Sequence, residues 1–421
     1  MVTKYSNSSV FLASLICILI FYSGLIKPCS RHRFYSLIKT EQIDALKGQL
    51  VSSPAKCSDG RYYRSTLRVC STAQTKKKIQ SSATGDINLY IPVESIEAFY
   101  PGKLYSAANN TGAFLWEAGG IYCVNGHFDR EGQNFYATEC SSSFFPATLY
   151  GKIDYFRALC RLQFKRLMYS WGLAGGLLLA LLCGAKEYTS SELSLSFRNA
   201  GLSHILALSG MHLSMFSGIA MFFGKKIGRK KLSFIIRIIA LFLFVWFAGL
   251  SPSLLRAFIC SMLTIIAAMA NVKKPDMLII LAFSFLCQTI ISPQDIYSSG
   301  FILSYMALAG ILLTNAFFRR YYSKLFPSVI ASSLGSSTGA QILTAPVSLK
   351  LFGSFSPIGI IATTVVSPVI TIFIYCGLAL IILSLIIPAL AIPSAIIMNL
   401  QYTVIRFLVS FFSKAFIWRI N

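Results

Sequence analysis

The sequence predicts a polytopic α-helical membrane domain preceded by a small extracytoplasmic β-rich domain. Three observations carry this. Of 421 residues, 55% are hydrophobic and only 13% charged, against roughly a quarter charged in soluble domains. Apolar segments recur from Trp171 onward, whereas residues 27–166 are polar and rich in turn residues. The charge balance is lopsided, with 38 Lys plus Arg against 15 Asp plus Glu, a formal +23. Such an excess suits phospholipid or nucleic acid and argues against a path for cations. The hydrophobic content excludes both a disordered chain and an ordinary cytosolic enzyme.

Residues 8–26 form a transmembrane anchor: 19 positions carry no charge, about the length that crosses a hydrocarbon core. No small-x-small cleavage site follows, and Ile26-Lys27-Pro28-Cys29 is a poor lipoprotein context. A retained anchor is therefore expected over a cleaved signal peptide. Residues 27–153 read as the β-rich domain. From 27 to 166 the chain holds 19 basic and 11 acidic residues, 19 − 11 = +8. Short β-favouring runs lie at 62–69, 87–93, 121–124 and 134–138. Asn125-Gly126 sits between the last two, the pair that type I′ hairpin turns demand. A small barrel or sandwich is expected. Cys29, Cys57, Cys70, Cys123, Cys140 and Cys160 lie in this part, an even number, so disulfides are possible in an oxidising compartment.

Residues 154–185 form a basic amphipathic, interfacial stretch. Arg157, Arg161 and Lys165 recur every four residues beside Phe156, Leu159, Leu162 and Leu167, a pattern that predicts docking on the membrane surface. The multi-span domain occupies 186–421, with apolar segments near 199–223, 233–250, 253–270, 276–291, 299–317, 356–372, 373–390 and 395–418, and a less apolar stretch at 328–350. Several are short or interrupted by Gly, Pro and Ser, which predicts half-helices or in-plane helices. The basic loops at 225–231, 273–274 and 319–324 are separated by two spans each. The positive-inside rule puts all three in the cytoplasm and residues 27–166 outside, provided that 171–184 lies in the membrane plane.

No catalytic apparatus is visible. The chain has four histidines but no HExxH, no CxxC pair and no GxxxxGK[ST], so neither a hydrolytic metal centre nor a nucleotide site has a ligand set, and no cofactor is expected. After residue 166 the acids are Glu187, Glu192, Asp276 and Asp295, all near predicted segment ends, which weakens a proton-relay reading.

Polar residues inside apolar segments are the stronger signal. Residues 201–212 (GLSHILALSGMH) place His204, Ser209, Gly210 and His212 in a stretch otherwise fit for lipid. Eight residues separate the histidines, about 12 Å of helical rise, too far for one metal. Interhelical hydrogen bonding and a helix break at Ser209-Gly210 that lines a wet path both remain open. Arg256 follows Ser253 in the 249–257 block, where Ser251 caps and Pro252 begins a helix; it either snorkels to the interface or lines an anionic path. Gly300 and Ser304 sit inside a third segment, and Gln341 and Pro346 in the less apolar one. In the outer domain, Tyr62, Tyr63, Arg64, Arg68 and Trp116 are candidates for stacking on and pairing with a nucleic acid, with core packing as the alternative for the aromatics.

At these residues the sequence resembles the ComEC family of competence proteins, over roughly 150–390. Residues 201–212 are similar to the family's GLSHLLAISGLHV signature. Gly249, Ser253 and Arg256-Ala257 follow, then Gly300-Phe301 with Leu303-Ser304, similar to GFQLSF, and Ala345-Pro346 with Phe352-Gly353, Ser356 and Pro368. The N-terminal part resembles the family's OB-fold-like module. The sequence departs from the family pattern at Ala185, Ile302 and Thr363, where the family carries polar residues. The resemblance implies a non-enzymatic channel that passes single-stranded DNA across the cytoplasmic (inner) membrane in natural transformation, with a diverged transporter of another anionic solute or lipid intermediate as the alternative. An intramembrane hydrolase built on Ser209 lacks a partner acid. The implied partners are single-stranded DNA, the lipid bilayer, and a separate DNA receptor, nuclease and cytoplasmic DNA motor protein; the nuclease activity that many family members are proposed to carry on a metallo-β-lactamase-like domain is expected either to be absent or to come from another chain.

Overall fold

The computed structural model describes residues 9–23, 34–57, 59–74, 79–98, 115–185, 187–226, 230–272, 275–415 and 418–419. Cys29, the basic residues at 27–33, Arg229 and Lys273-Lys274 lie outside that set.

A helix α1 (Ser9–Tyr22) comes first. The β-rich domain that follows contains β1 (Tyr35–Ser36), β2 (Ala45–Leu50), β3 (Ala55–Lys56), β4 (Tyr62–Gln74), β5 (Ile79–Thr84), β6 (Asp86–Pro92), a short α2 (Val93–Glu97), β7 (Ile121–Phe128) and β8 (Asn134–Phe144). Five strands close on one another: β2 pairs with β4, β4 with β6, β6 with β8, β8 with β7, and β7 with β2. Only β6–β8 is parallel. A closed five-stranded barrel with one parallel pair and a helix before its fourth strand is the architecture of the OB-fold. Alternation drives closure: Tyr63, Leu67, Leu89, Ile91, Tyr122, Val124 and Phe135 are fully buried inside, while intervening residues face out.

The Asn125-Gly126 turn is a correction. The two residues lie inside β7, at a register shift. A Cβ on Gly126 would collide with the Tyr136 carbonyl, so the glycine serves close strand approach. The chain reverses instead between Asp129 and Asn134, where Gly132 takes φ +69° and the Asp129 carboxylate accepts from the amides of Gln133 and Asn134. Cys57, Cys70, Cys123, Cys140 and Cys160 are free thiols.

The helical part comprises α3 (Leu149–Ser170), α4 (Gly172–Cys183), α5 (Ser191–Asn199), α6 (Ser203–Leu206), α7 (Gly210–Lys226), α8 (Lys230–Ala248), α9 (Pro252–Met269), α10 (Met277–Ile291), α11 (Ser299–Tyr322), α12 (Ser328–Phe352), α13 (Gly359–Ile386) and α14 (Ala391–Ser413). A two-residue ladder joins β9 (Ser354–Phe355) to β10 (Trp418–Arg419). This is a multi-pass membrane protein: among the described residues five helices, within 231–248, 252–269, 299–322, 359–386 and 388–413, are long and apolar enough to cross a bilayer. On α14, exposed Ile392, Ile396, Leu400, Val404, Phe407 and Phe411 recur at helical spacing, a stripe fit for lipid. The segments 356–372 and 373–390, read separately in the sequence, form one helix of 28 residues, with Pro368 inside it.

α4 is enclosed by protein: Leu177 to Leu181 are 0% exposed, and Gly175 and Gly176 bring the helix against the carbonyls of Met168 and Tyr188. Two basic side chains of α3 are likewise enclosed by protein and do not form an open docking face. Arg161 and Lys165 are each 5% exposed because two carboxylates neutralise them. Arg161 Nε lies 3.1 Å and Lys165 Nζ 3.4 Å from Glu117 Oε1, and Lys165 Nζ lies 3.0 Å from Glu187 Oε1. Ser53 donates to Glu117 at 2.6 Å. Arg161 Nη1 also donates to the Phe247 and Ala248 carbonyls, at 2.7 and 3.3 Å, the free C-terminal acceptors of α8. The cluster thus fixes the barrel against one end of the helices. At that end Tyr22 of α1 donates to the Ile296 carbonyl at 3.1 Å, and Tyr297 to the Phe21 carbonyl at 2.9 Å.

Candidate functional site

The chain between α5 and α7 cannot continue as one helix. Gly201 takes φ +72°, and a Cβ there would press on Gly359 Cα and the Ser356 carbonyl, each 3.0 Å away. After the one-turn α6, Ala207 is extended and α7 starts at Gly210. His212, 1% exposed, turns back over this break: its Nδ1 accepts from the Ser209 amide at 3.3 Å and lies 3.3 Å from Ser209 Oγ. The imidazole caps the start of α7. Its Nε2 is buried without a partner among the described residues, whereas a serine hydrolase orients its histidine with a carboxylate.

The next blocks meet at the same place. Ser251 caps α9 by accepting from Leu254, with Pro252 in the first turn, and Ser253 donates to the Leu208 carbonyl at 2.7 Å. Arg256 then lies in the second turn. Its Nη2 is 3.3 Å from where a Cβ on Gly210 would stand, and its Nη1 donates to the Ser304 carbonyl of α11 at 2.8 Å. Half-buried, the guanidinium has no ion pair among the described residues, and Nε has no partner. Gly210, Ser253, Arg256 and Ser304, spread over nearly 100 residues of sequence, therefore share one corner at the barrel-facing end of the helices.

Gln341 belongs to a neighbouring contact: its Nε2 is 2.6 Å from the Cβ position of Gly359, which packs on Gly201, and its Oε1 is buried and unpartnered. His204 is exposed, on the one-turn α6. Gly300 faces open space, and Pro346 lies within α12. Among the described residues no three His, Cys, Asp or Glu side chains form a group fit for a metal.

Beneath Arg256 runs a buried polar network that the sequence reading missed. Tyr305 donates to Gln288 Oε1 at 3.0 Å, Gln288 Nε2 donates to the Pro252 carbonyl at 2.9 Å, and Ser284 bonds Tyr305 at 2.9 Å. It pins the start of α9 to α10 and α11. Ser284 and Gln288, polar and four residues apart in an apolar run, were the available signal.

On the barrel, the candidates divide. Tyr63 is 0% exposed, and Trp116 is 4% exposed and stacked on Tyr122 at 4.5 Å; neither ring can receive a base, because both complete the core. Tyr62, Arg64 and Arg68 lie on the outward face of β4. Arg64 donates to Asn88 at 3.0 Å, and Arg68 pairs with Asp86 at 3.0 Å. Structure adds what alternation on separate strands concealed: Tyr90 of β6 stacks on Tyr136 of β8 at 4.8 Å, His127 of β7 on Tyr136 at 5.8 Å, and Tyr62 meets Tyr136 edge-on at 5.4 Å. The face across the second and third barrel strands is where OB-folds take oligonucleotides.

The electrostatics of the cluster at the barrel–helix junction are settled by pairing. Burial pushes the Glu117 carboxyl up, but Arg161 and Lys165 outweigh it and hold it at about 2. Burial pushes Lys165 down, and Glu187 and Glu117 more than reverse that.

A family model described as Competence protein matches residues 181–419, more than half of the chain. The chain belongs to this family. The ComEC resemblance and the match agree on the region that contains the Arg256 corner. A relative from Bacillus subtilis (strain 168), ComE operon protein 3, is 26% identical over 204 residues, which are 48% of this chain and 25% of that protein. An uncharacterized protein from Aquifex aeolicus (strain VF5) is 28% identical over 242 residues, 56% of this chain and 53% of the relative. The chain thus spans between a quarter and about half of the length of these relatives. No solved structure matches.

Proposed function

We propose that this competence-family protein is an inner-membrane channel that passes single-stranded DNA into the cytoplasm during natural transformation. The observation that carries the reading is Arg256: a cation held in place by a backbone carbonyl, without a carboxylate, where separate sequence blocks converge. A half-buried uncompensated charge is costly, and a passing phosphate would relieve that cost. The outward β4–β6 face of the barrel supplies tyrosines and arginines for holding a strand before it reaches the helices. We read the basic loops as cytoplasmic, which would leave the barrel outside the cell, where incoming DNA arrives. A separate receptor, nuclease and cytoplasmic motor would complete the pathway, and no step of the passage needs hydrolysis by this chain.

The test is uptake of labelled DNA past the cytoplasmic membrane in a deletion strain carrying Arg256→Ala or His204→Ala. Both proteins are expected in the membrane at normal abundance, with uptake at the level of the deletion. Normal uptake by both variants would falsify the proposal.

A further inference from the structure

α3 carries three basic side chains one turn apart, and the structure treats them differently. Arg161 and Lys165 are neutralised by Glu117 and Glu187. Arg157 has no ion pair and no hydrogen bond among the described residues, and its Nε is shielded from solvent without a partner. Asp154, Glu117 and Arg161 are the charged groups whose fields reach it, yet neither acid comes within ion-pair distance. Its Nη2 instead reaches across to α8, 3.2 Å from the Cβ position of Gly249. Gly249 holds φ +94°, so the missing side chain both permits the turn and leaves the guanidinium room. The same turn leads directly into α9 and Arg256. Three loop residues and four helical rises keep Gly249 and Arg256 within about 16 Å, a separation that a few nucleotides span.

We propose that Arg157 is a second phosphate-binding residue, which receives the backbone of a single strand as it passes from the barrel to the Arg256 corner. This rests on the DNA-uptake reading and adds a residue from outside the family-matched region. Position distinguishes it from Arg161 and Lys165: at the seam between barrel and helices, it has no carboxylate within ion-pair distance among the described residues and can receive an external anion.

The test uses the full chain in zwitterionic nanodiscs and a fluorescent oligothymidylate of about 16 nucleotides, titrated at several salt concentrations. Arg157→Gln is expected to weaken binding about fivefold and to lower the salt slope by about one, and Arg157→Lys to restore most of both. Unchanged affinity and slope in Arg157→Gln, with wild type binding normally, overturns this proposal alone. A difference that appears only in discs containing anionic lipid overturns it too, by assigning Arg157 to a headgroup. Failure of wild type to bind at all removes the uptake reading and this proposal together.

Discussion

The Glu117 cluster and the Arg256 corner both keep cations away from bulk water, and they are stabilised in opposite ways. Around Glu117 two acids face two bases, and Arg161 Nη1 also reaches two backbone carbonyls, so the charges sum to zero within the protein. Around Arg256 a single carbonyl accepts from the guanidinium and its charge stays uncompensated. Buried pairs cost a great deal when one partner is removed and contribute modestly when intact. An unpaired cation costs stability in the resting state and is available to bind. The first arrangement suits a joint between domains, the second a site.

The comparison breaks most easily at Glu117. Glu117→Gln leaves Arg161 and Lys165 short of a counter-charge and should destabilise the protein by about 3–5 kcal/mol, read by denaturant unfolding in detergent; a loss under about 1 kcal/mol would mean that the cluster is already hydrated. Acid gives the next effect. A carboxyl whose folded pKa is depressed contributes stability that is complete above its unfolded value and lost as pH falls through the folded one. The barrel–helix joint should therefore hold at neutral pH and weaken between about pH 4.5 and about pH 2, read as a change in interdomain energy transfer between two surface dyes. The smallest effect is at the site. Arg256→Met should keep or raise stability by about 1 kcal/mol while uptake is lost. A stability loss above about 2 kcal/mol would make Arg256 a structural group.

Much of this was legible in the chain itself. The alternation of β4 and β6 and the apolar runs marked the two regions, and Ser251-Pro252 marked the start of α9, because caps and periodicity are local properties. The four blocks named the residues of the Arg256 corner, although only His212 capping α7 explains why Ser209 and His212 stand three residues apart. Other features were misread for equally physical reasons. Asn125-Gly126 has the composition of a turn, but the Tyr136 carbonyl uses its glycine for strand approach. Arg161 and Lys165 have the spacing of a membrane-docking face, but Glu117, 44 residues away from Arg161, lies against both. Tyr62 and Tyr63 are adjacent in sequence, and only closure of the barrel decided which of them is core.

Composition, hydropathy period and motif order determined on their own that this chain builds a membrane bundle behind a β-rich domain and that it resembles the competence proteins, because each of those signals is written within a few dozen residues. Which cations are neutralised and which stay open was decided by the tertiary structure alone. The sign and magnitude of a buried charge's energy depend on partners brought from distant segments, and no local pattern encodes them.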